Sequence, residues 1–166
     1  IYQCDWSSDV CSSDLFTGAD IGKPKAEAAA AWVRTFDPAL AVTAHVARVT
    51  RDNAASLIAG ADVVLDGCDN FATRLAVSDA CVAAGIPLTS AALGRFQGQV
   101  ANFAGHRQGH ACYRCFVGDA FDAEDCDTCA DLGVLGAMVG MVGAFGAMAA
   151  MRVLRSEEHT SELQSH

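Results

Sequence analysis

The sequence predicts the α/β class: an open sheet, mostly parallel with an antiparallel extension, helices on both faces, and a Cys-rich loop near its end. Three observations carry this. Short apolar runs alternate with Ala-rich helical stretches, the pattern of strands connected by crossover helices. The run 61–69, "ADVVLDGCD", is continuously apolar and closes on acids, as a parallel strand buried on both faces does. Two Cys-x-x-Cys pairs, Cys112/Cys115 and Cys126/Cys129, follow the last strand-like run.

The elements follow in order. Residues 23–36, "KPKAEAAAAWVRTF", predict a helix with Pro24 in its first turn, where the missing N–H costs nothing. Residues 40–49, "LAVTAHVARV", alternate enough for a strand, and 51–60 make a short helix closed by Gly60. The strand at 61–69 leads into a helix over 70–85, stopped by Gly85. Residues 86–94 are the next strand, and 98–105 a further one read as antiparallel. Residues 132–154 form a long apolar helix. There is no internal repeat and no low-complexity linker.

The two ends are set apart. Residues 155–165, "RSEEHTSELQS", back-translate to a common sequencing-adapter string whose reverse complement encodes the "DWSSDVCSSDL" of residues 5–15. Residues 1–15 and 155–166 are therefore read as translated adapter, an artefact excluded from fold reasoning, and 16–154 as the natural segment. That segment holds ten Lys/Arg and fourteen Asp/Glu, a net charge of -4. A mildly acidic chain without a basic stripe argues against nucleic acid as a partner. Its six cysteines, two scattered and four in close pairs, read as reduced cytoplasmic thiols and a metal site rather than a disulfide framework.

The last helix has twenty residues (132–151) without a charge, and Gly136 and Gly140 in a G-x-x-x-G. Most of the run is Gly, Ala and Met, with little Leu, Ile or Phe to drive membrane insertion. Its glycines each weaken an isolated helix by roughly 1 kcal/mol relative to Ala. The expectation is a helix buried against the sheet or a partner subunit, with no membrane.

Four groups of residues carry chemistry. Asp69 stands where the 61–68 strand ends, the side of an open α/β sheet where ligands bind. A carboxylate there can hold Mg²⁺, or simply cap the following helix. Lys23 and Lys25 put two cations at a helix start against the helix dipole, a mild sign of an anionic ligand; two solvated lysines is the plainer reading. Cys112 and Cys115 fit a zinc knuckle, and Cys126 and Cys129 could complete a Cys₄ cage. Cys129 also precedes a helix, which would lower its pKa and favour a nucleophile, although a plain ligand is the commoner role. His45, His106 and His110 form no metal or triad pattern, and Ser90 lacks the G-x-S-x-G context of a serine hydrolase.

Taken in order, "GKPKAEAA", "VVLDGCDNFATRLAVSDACVAAGIPLTSAAL", "GQV", "CYRC" and "CADLGVLGAMVGMVGAFGAMAAMRVL" resemble the ThiF/MoeB/HesA adenylyltransferases, the bacterial relatives of ubiquitin-activating enzymes. The resemblance covers nearly all of 16–154 and implies part of a Rossmann-like sheet. It further implies activation of the C-terminal glycine of a ubiquitin-like sulfur-carrier protein with ATP and Mg²⁺, serving molybdopterin or thiamine synthesis, in a cytoplasmic homodimer. By position, Lys25 resembles the lysine on the ATP phosphates and Asp69 the acid at the magnesium ion. Asn70 and Arg74 share the D-N-x-x-x-R motif with Asp69 and are carried over as nucleotide-binding. Cys112 and Cys115 resemble the first zinc pair. The family's second zinc pair lies beyond the long helix, and Cys129 matches the crossover-loop cysteine that joins the carrier in thiamine-type members. Cys126 has no counterpart.

The resemblance also implies missing parts. The glycine-rich nucleotide loop, the ribose-binding acid and upstream arginines belong before residue 16, and the second zinc pair after 154. The chain is therefore expected to be the C-terminal part of an adenylyltransferase domain, inactive alone. Two other functions compete: a non-catalytic zinc-binding interaction module on the same sheet, and a related enzyme acting on a modified tRNA base.

Overall fold

The computed structural model describes residues 15–94, 97–118 and 135–156. A 3-10 turn (Gly18–Asp20) leads to α1 (Lys25–Phe36), followed by α2 (Ala54–Ile58), β1 (Val64–Asp66), α3 (Phe71–Ala84), β2 (Leu88–Leu93), β3 (Gly98–Phe103), α4 (Tyr113–Val117) and α5 (Gly136–Leu154). The described strands form a small open sheet in the order β1-β2-β3. β1 and β2 are parallel, with Asp66 opposite Ser90. β2 and β3 are antiparallel, with Leu88 opposite Phe103 and Leu93 opposite Gly98. The mixed α/β class and the antiparallel extension agree with the sequence reading.

Side chains alternate across the strands, and this sorts the helices onto two faces. Asp66 and Ser90 turn toward α3, where Arg74 meets both. Leu65 and Ala91 turn the other way, onto α5: a Cβ placed on Gly146 would stand 3.2 Å from Leu65 and 3.3 Å from Ala91. The α3 face carries the main core, formed by Ile58, Val77, Cys81, Leu88, Phe103 and Tyr113. Phe103 and Tyr113 meet edge to face at 5.6 Å, a favoured aromatic geometry.

Three expectations change. Residues 40–49 form no strand. Alternation makes a segment fit for a sheet, but a strand exists only where another backbone pairs with it, and no described residue does so there. The segment is held from the side, by Arg34 Nη2 donating to the Val42 carbonyl at 2.7 Å. The long run 61–69 shortens to the three residues of β1, whose one described neighbour is β2. Finally, α5 is not buried all round. Val142, Gly146 and Ala150 are buried against the sheet, while Met141, Phe145, Met148 and Met151 are exposed. Gly136 and Gly140 have open space where a Cβ would stand, so the G-x-x-x-G packs against none of the described residues. By length and composition α5 could cross a membrane; here one stripe of it lies on the sheet.

Candidate active site

The site builds from the carboxyl end of β1. The strand stops at Asp66, a turn runs through Gly67, Cys68 and Asp69, and α3 begins at Phe71. Asn70 starts that helix: its backbone is extended and its side-chain oxygen accepts the Thr73 amide at 2.9 Å. This satisfies one of the orphan N–H groups of the first turn. The cap considered for Asp69 is therefore made by its neighbour, and Asp69 is left exposed at the strand end. Gly85 closes α3 at φ 72°, and its amide returns to the Cys81 and Val82 carbonyls.

Arg74, one turn into α3, points inward. Its Nη1 donates to Ser90 Oγ at 2.9 Å and lies 3.5 Å from Asp66 Oδ2. Its Nη2 donates to the carbonyls of Cys68 and, at 3.2 Å, Ala91. Asp66 in turn accepts the Cys68 amide at 2.8 Å through its other oxygen. Asp66, Arg74 and Ser90 are all buried. The guanidinium carried over from the resemblance as nucleotide-binding thus has its hydrogen bonds to the protein itself. Asp66 and Ser90 were not foreseen; the available signals were an acid inside an apolar run and a hydroxyl in the neighbouring strand.

Of the two lysines, Lys25 is the first residue of α1 and half-buried. Lys23 lies ahead of the helix and pairs with Asp20 at 3.1 Å. The Thr17 amide and hydroxyl, with Lys23, hold the Asp20 carboxyl down to about 2. Lys23 is thereby matched to a carboxylate three residues upstream, a spacing the sequence displayed. α1 is not among the elements packed closely on the sheet or α3, and no ion pair among the described residues joins Lys25 to Asp69.

Cys112 is the residue before α4 and Cys115 lies in its first turn; their sulfurs approach to 3.3 Å, and both thiols are free. Two thiolates on one tetrahedral zinc stand about 3.8 Å apart, from bonds of about 2.3 Å, so the pair converges slightly more tightly than one ion requires. The Cys112 amide and thiol hold the exposed Cys115 thiol below its ordinary value. The donors suit half of a cage. Among the described residues no group of three His, Cys, Asp or Glu could hold a metal, so the zinc knuckle is not completed here. Cys126 and Cys129 lie outside the described residues.

The turn between the two cysteines is docked on α3. Tyr113 is buried between Phe103 and Phe71, the first residue of α3. Arg114 forks onto Asp79 with two bonds of 2.7 Å.

The model of the ThiF family matches residues 8–165. The chain is 43% identical over 101 residues to a SAMP-activating enzyme E1 of Haloferax volcanii, covering 61% of this chain and 36% of that protein. It is 40% identical over 104 residues to a sulfur carrier protein adenylyltransferase of Thermus thermophilus, covering 61% and 38%. It is 37% identical over 108 residues to the molybdopterin-synthase adenylyltransferase of Salmonella typhimurium, covering 65% and 43%. The chain thus spans well under half the length of these relatives. A crystal structure of selenomethionine PaaA matches with a TM-score of 0.58 at 15% identity, over 84% of this chain and 42% of that one, a likeness of fold.

Proposed function

The chain belongs to the ThiF family, and from that premise we propose that it is the C-terminal part of the adenylyltransferase domain of an enzyme that adenylylates the C-terminal glycine of a ubiquitin-like sulfur-carrier protein. The observation that carries the reading is the placement of D-N-x-x-x-R. Asn70 and Arg74 are both engaged in the fold, and the Asp69 carboxylate stands exposed beyond the carboxyl end of β1, where open α/β sheets bind ligands. The names of the relatives point the same way: one is a sulfur carrier protein adenylyltransferase, another a molybdopterin-synthase adenylyltransferase.

In this reaction the carrier's carboxylate oxygen attacks the α-phosphorus of ATP. The bond from that phosphorus to the bridging oxygen breaks, and pyrophosphate leaves with the electron pair. Negative charge grows on the phosphate oxygens, so fixed cations lower the barrier. Lys25 is the proposed contact to the phosphates, with Asn70 beside the nucleotide. Asp69 would hold the magnesium ion, an oxygen-seeking cation that neutralises the leaving group. Cys112 and Cys115 would supply two ligands of a structural zinc ion, and Cys129 the sulfur that receives the carrier in a thiamine-type route. The proposed setting is a cytoplasmic homodimer, with molybdopterin or thiamine synthesis as the pathway.

The test is carrier-dependent ATP–pyrophosphate exchange by the full-length protein. Asp69→Ala should lower it by a factor of about 10²–10³ while the fold persists. Exchange that survives the substitution overturns the role of Asp69, and a wild type without carrier-dependent exchange overturns the reading in favour of a non-catalytic zinc-binding module. The present chain alone should show no exchange.

A further inference from the structure

We propose that Asp66 and Ser90, acting through Arg74, are positioning residues that fix the turn carrying Asp69. The geometric claim stands on the contacts themselves; its catalytic consequence rests on the proposed function.

The turn from β1 to α3 is gripped on each side of Asp69. On the upstream side, Cys68 is held at both of its backbone groups: its amide donates to Asp66 Oδ1 at 2.8 Å, and its carbonyl accepts from Arg74 Nη2. On the downstream side, Asn70 is held by its cap on the Thr73 amide. Between them the Asp69 side chain faces solvent. The grip is anchored in the sheet rather than in the turn. Arg74 reaches β1 at Asp66 and β2 at Ser90 Oγ and the Ala91 carbonyl. The parallel register sets Asp66 opposite Ser90, so one guanidinium can touch both strand ends.

The chemistry of the side chains suits this task. A buried guanidinium is costly unless each of its N–H groups finds an acceptor and its charge a partner. Here the planar fork distributes its bonds over a carboxylate, a hydroxyl and two carbonyls, which only Arg can do from one side chain. An ammonium at the same place could keep the charge but not all four partners. Neither Asp66 nor Ser90 is exposed enough to meet a nucleotide, so their influence on the reaction would pass through the place they give to Asp69.

Two measurements decide the proposal. In the chain as it stands, amide hydrogen exchange is followed in the wild type, Ser90→Ala and Arg74→Lys. Exchange at the Cys68 amide, bonded to Asp66, should rise by about tenfold in each variant, while amides 78–84 in the second half of α3 stay protected. Unchanged exchange in the turn overturns the proposal, as does an equal rise along all of α3. Ser90→Ala keeps the test valid if Arg74→Lys fails to fold. In the full-length protein, Ser90→Ala should raise the magnesium concentration for half-maximal pyrophosphate exchange by about tenfold and leave the KM for the carrier unchanged. A fall in rate matching only the loss of folded protein, with the magnesium requirement unmoved, overturns the catalytic consequence. If the wild type shows no exchange at all, the proposed function fails, and the hydrogen-exchange result still decides the grip on the turn.

Discussion

Arg114 and Asp79 meet fork to fork: Nε and Nη2 of the guanidinium each donate to a separate carboxylate oxygen at 2.7 Å. The contact ties the turn between Cys112 and Cys115 to the middle of α3, while Tyr113 packs at the start of the same helix. Both side chains are nearly half exposed, at 45% and 44%, so water screens the pair. Asp79→Asn should therefore cost only about 0.5–1 kcal/mol. Arg114 holds the Asp79 carboxyl below its usual value. A depressed carboxyl contributes stability above its unfolded value of about 3.9, lost as pH falls through the folded value. Melting temperatures of wild type and Asp79→Asn should differ at pH 6 and converge in acid. A difference that persists at pH 2 would assign the effect to packing instead.

The thiols should separate by reactivity. Burial, with Asp66 beside it, pushes Cys68 up to about 12, and burial pushes Cys81 up to about 11, whereas Cys115 is lowered and exposed. The thiolate is the nucleophile, so brief iodoacetamide treatment near neutral pH should label Cys115 well before Cys68 or Cys81. Peptide mass spectrometry reads the order directly. The same shifts set an alkaline limit. A thiol whose folded value is raised adds stability that is complete below the unfolded value of about 8.5 and disappears as pH rises through the folded value. Stability should fall from about pH 9 upward, and Cys81→Ala should lessen that slope.

Two glycines should tolerate no side chain. A Cβ on Gly98 would collide with Val142 Cγ2, where β3 meets α5. Valine cannot turn away at little cost, because its branched side chain has one favoured rotamer in a helix. Gly98→Ala should cost about 1–3 kcal/mol, measured by urea unfolding. At Gly105 the obstacle is Cys112, with its Cβ at 2.5 Å and its backbone at 3.0 Å. Gly105→Ala must displace that backbone, and should both lower stability and alter the rate at which the Cys112/Cys115 pair is labelled.

Local signals made α1, α3 and the antiparallel β3 legible in the sequence. Alanine-rich periodicity and a left-handed Gly85 act within a few residues of where they are read. The position of Asp69 at a strand end was legible for the same reason. The grip of Arg74 was not, because its partners lie 6, 8, 16 and 17 residues away, and those on the two strands come together only through the register of β1 with β2. Residues 40–49 mark the opposite limit: their alternation is real, but whether a segment pairs depends on a second backbone that its own residues do not specify.

Asn70 and Asp69 offer the sharpest separation of structure from function. Both are polar residues at a helix start, and the sequence offered Asp69 as a cap of α3 beside its reading as a metal ligand. The 2.9 Å bond from the Thr73 amide to Asn70 decides it. Asn70→Ala should lower stability by about 1 kcal/mol, because a first-turn amide loses its acceptor. Asp69→Ala removes an exposed carboxylate with no capping bond, and should change the melting temperature little. Its acidic charge near the positive end of the helix is worth at most about 0.3–1 kcal/mol, an amount salt should erase. Thermal unfolding of both variants at low and high salt tests this pairing. An Asp69→Ala loss that matches Asn70→Ala and persists in high salt would make Asp69 a structural residue and remove the reason to assign it to the nucleotide.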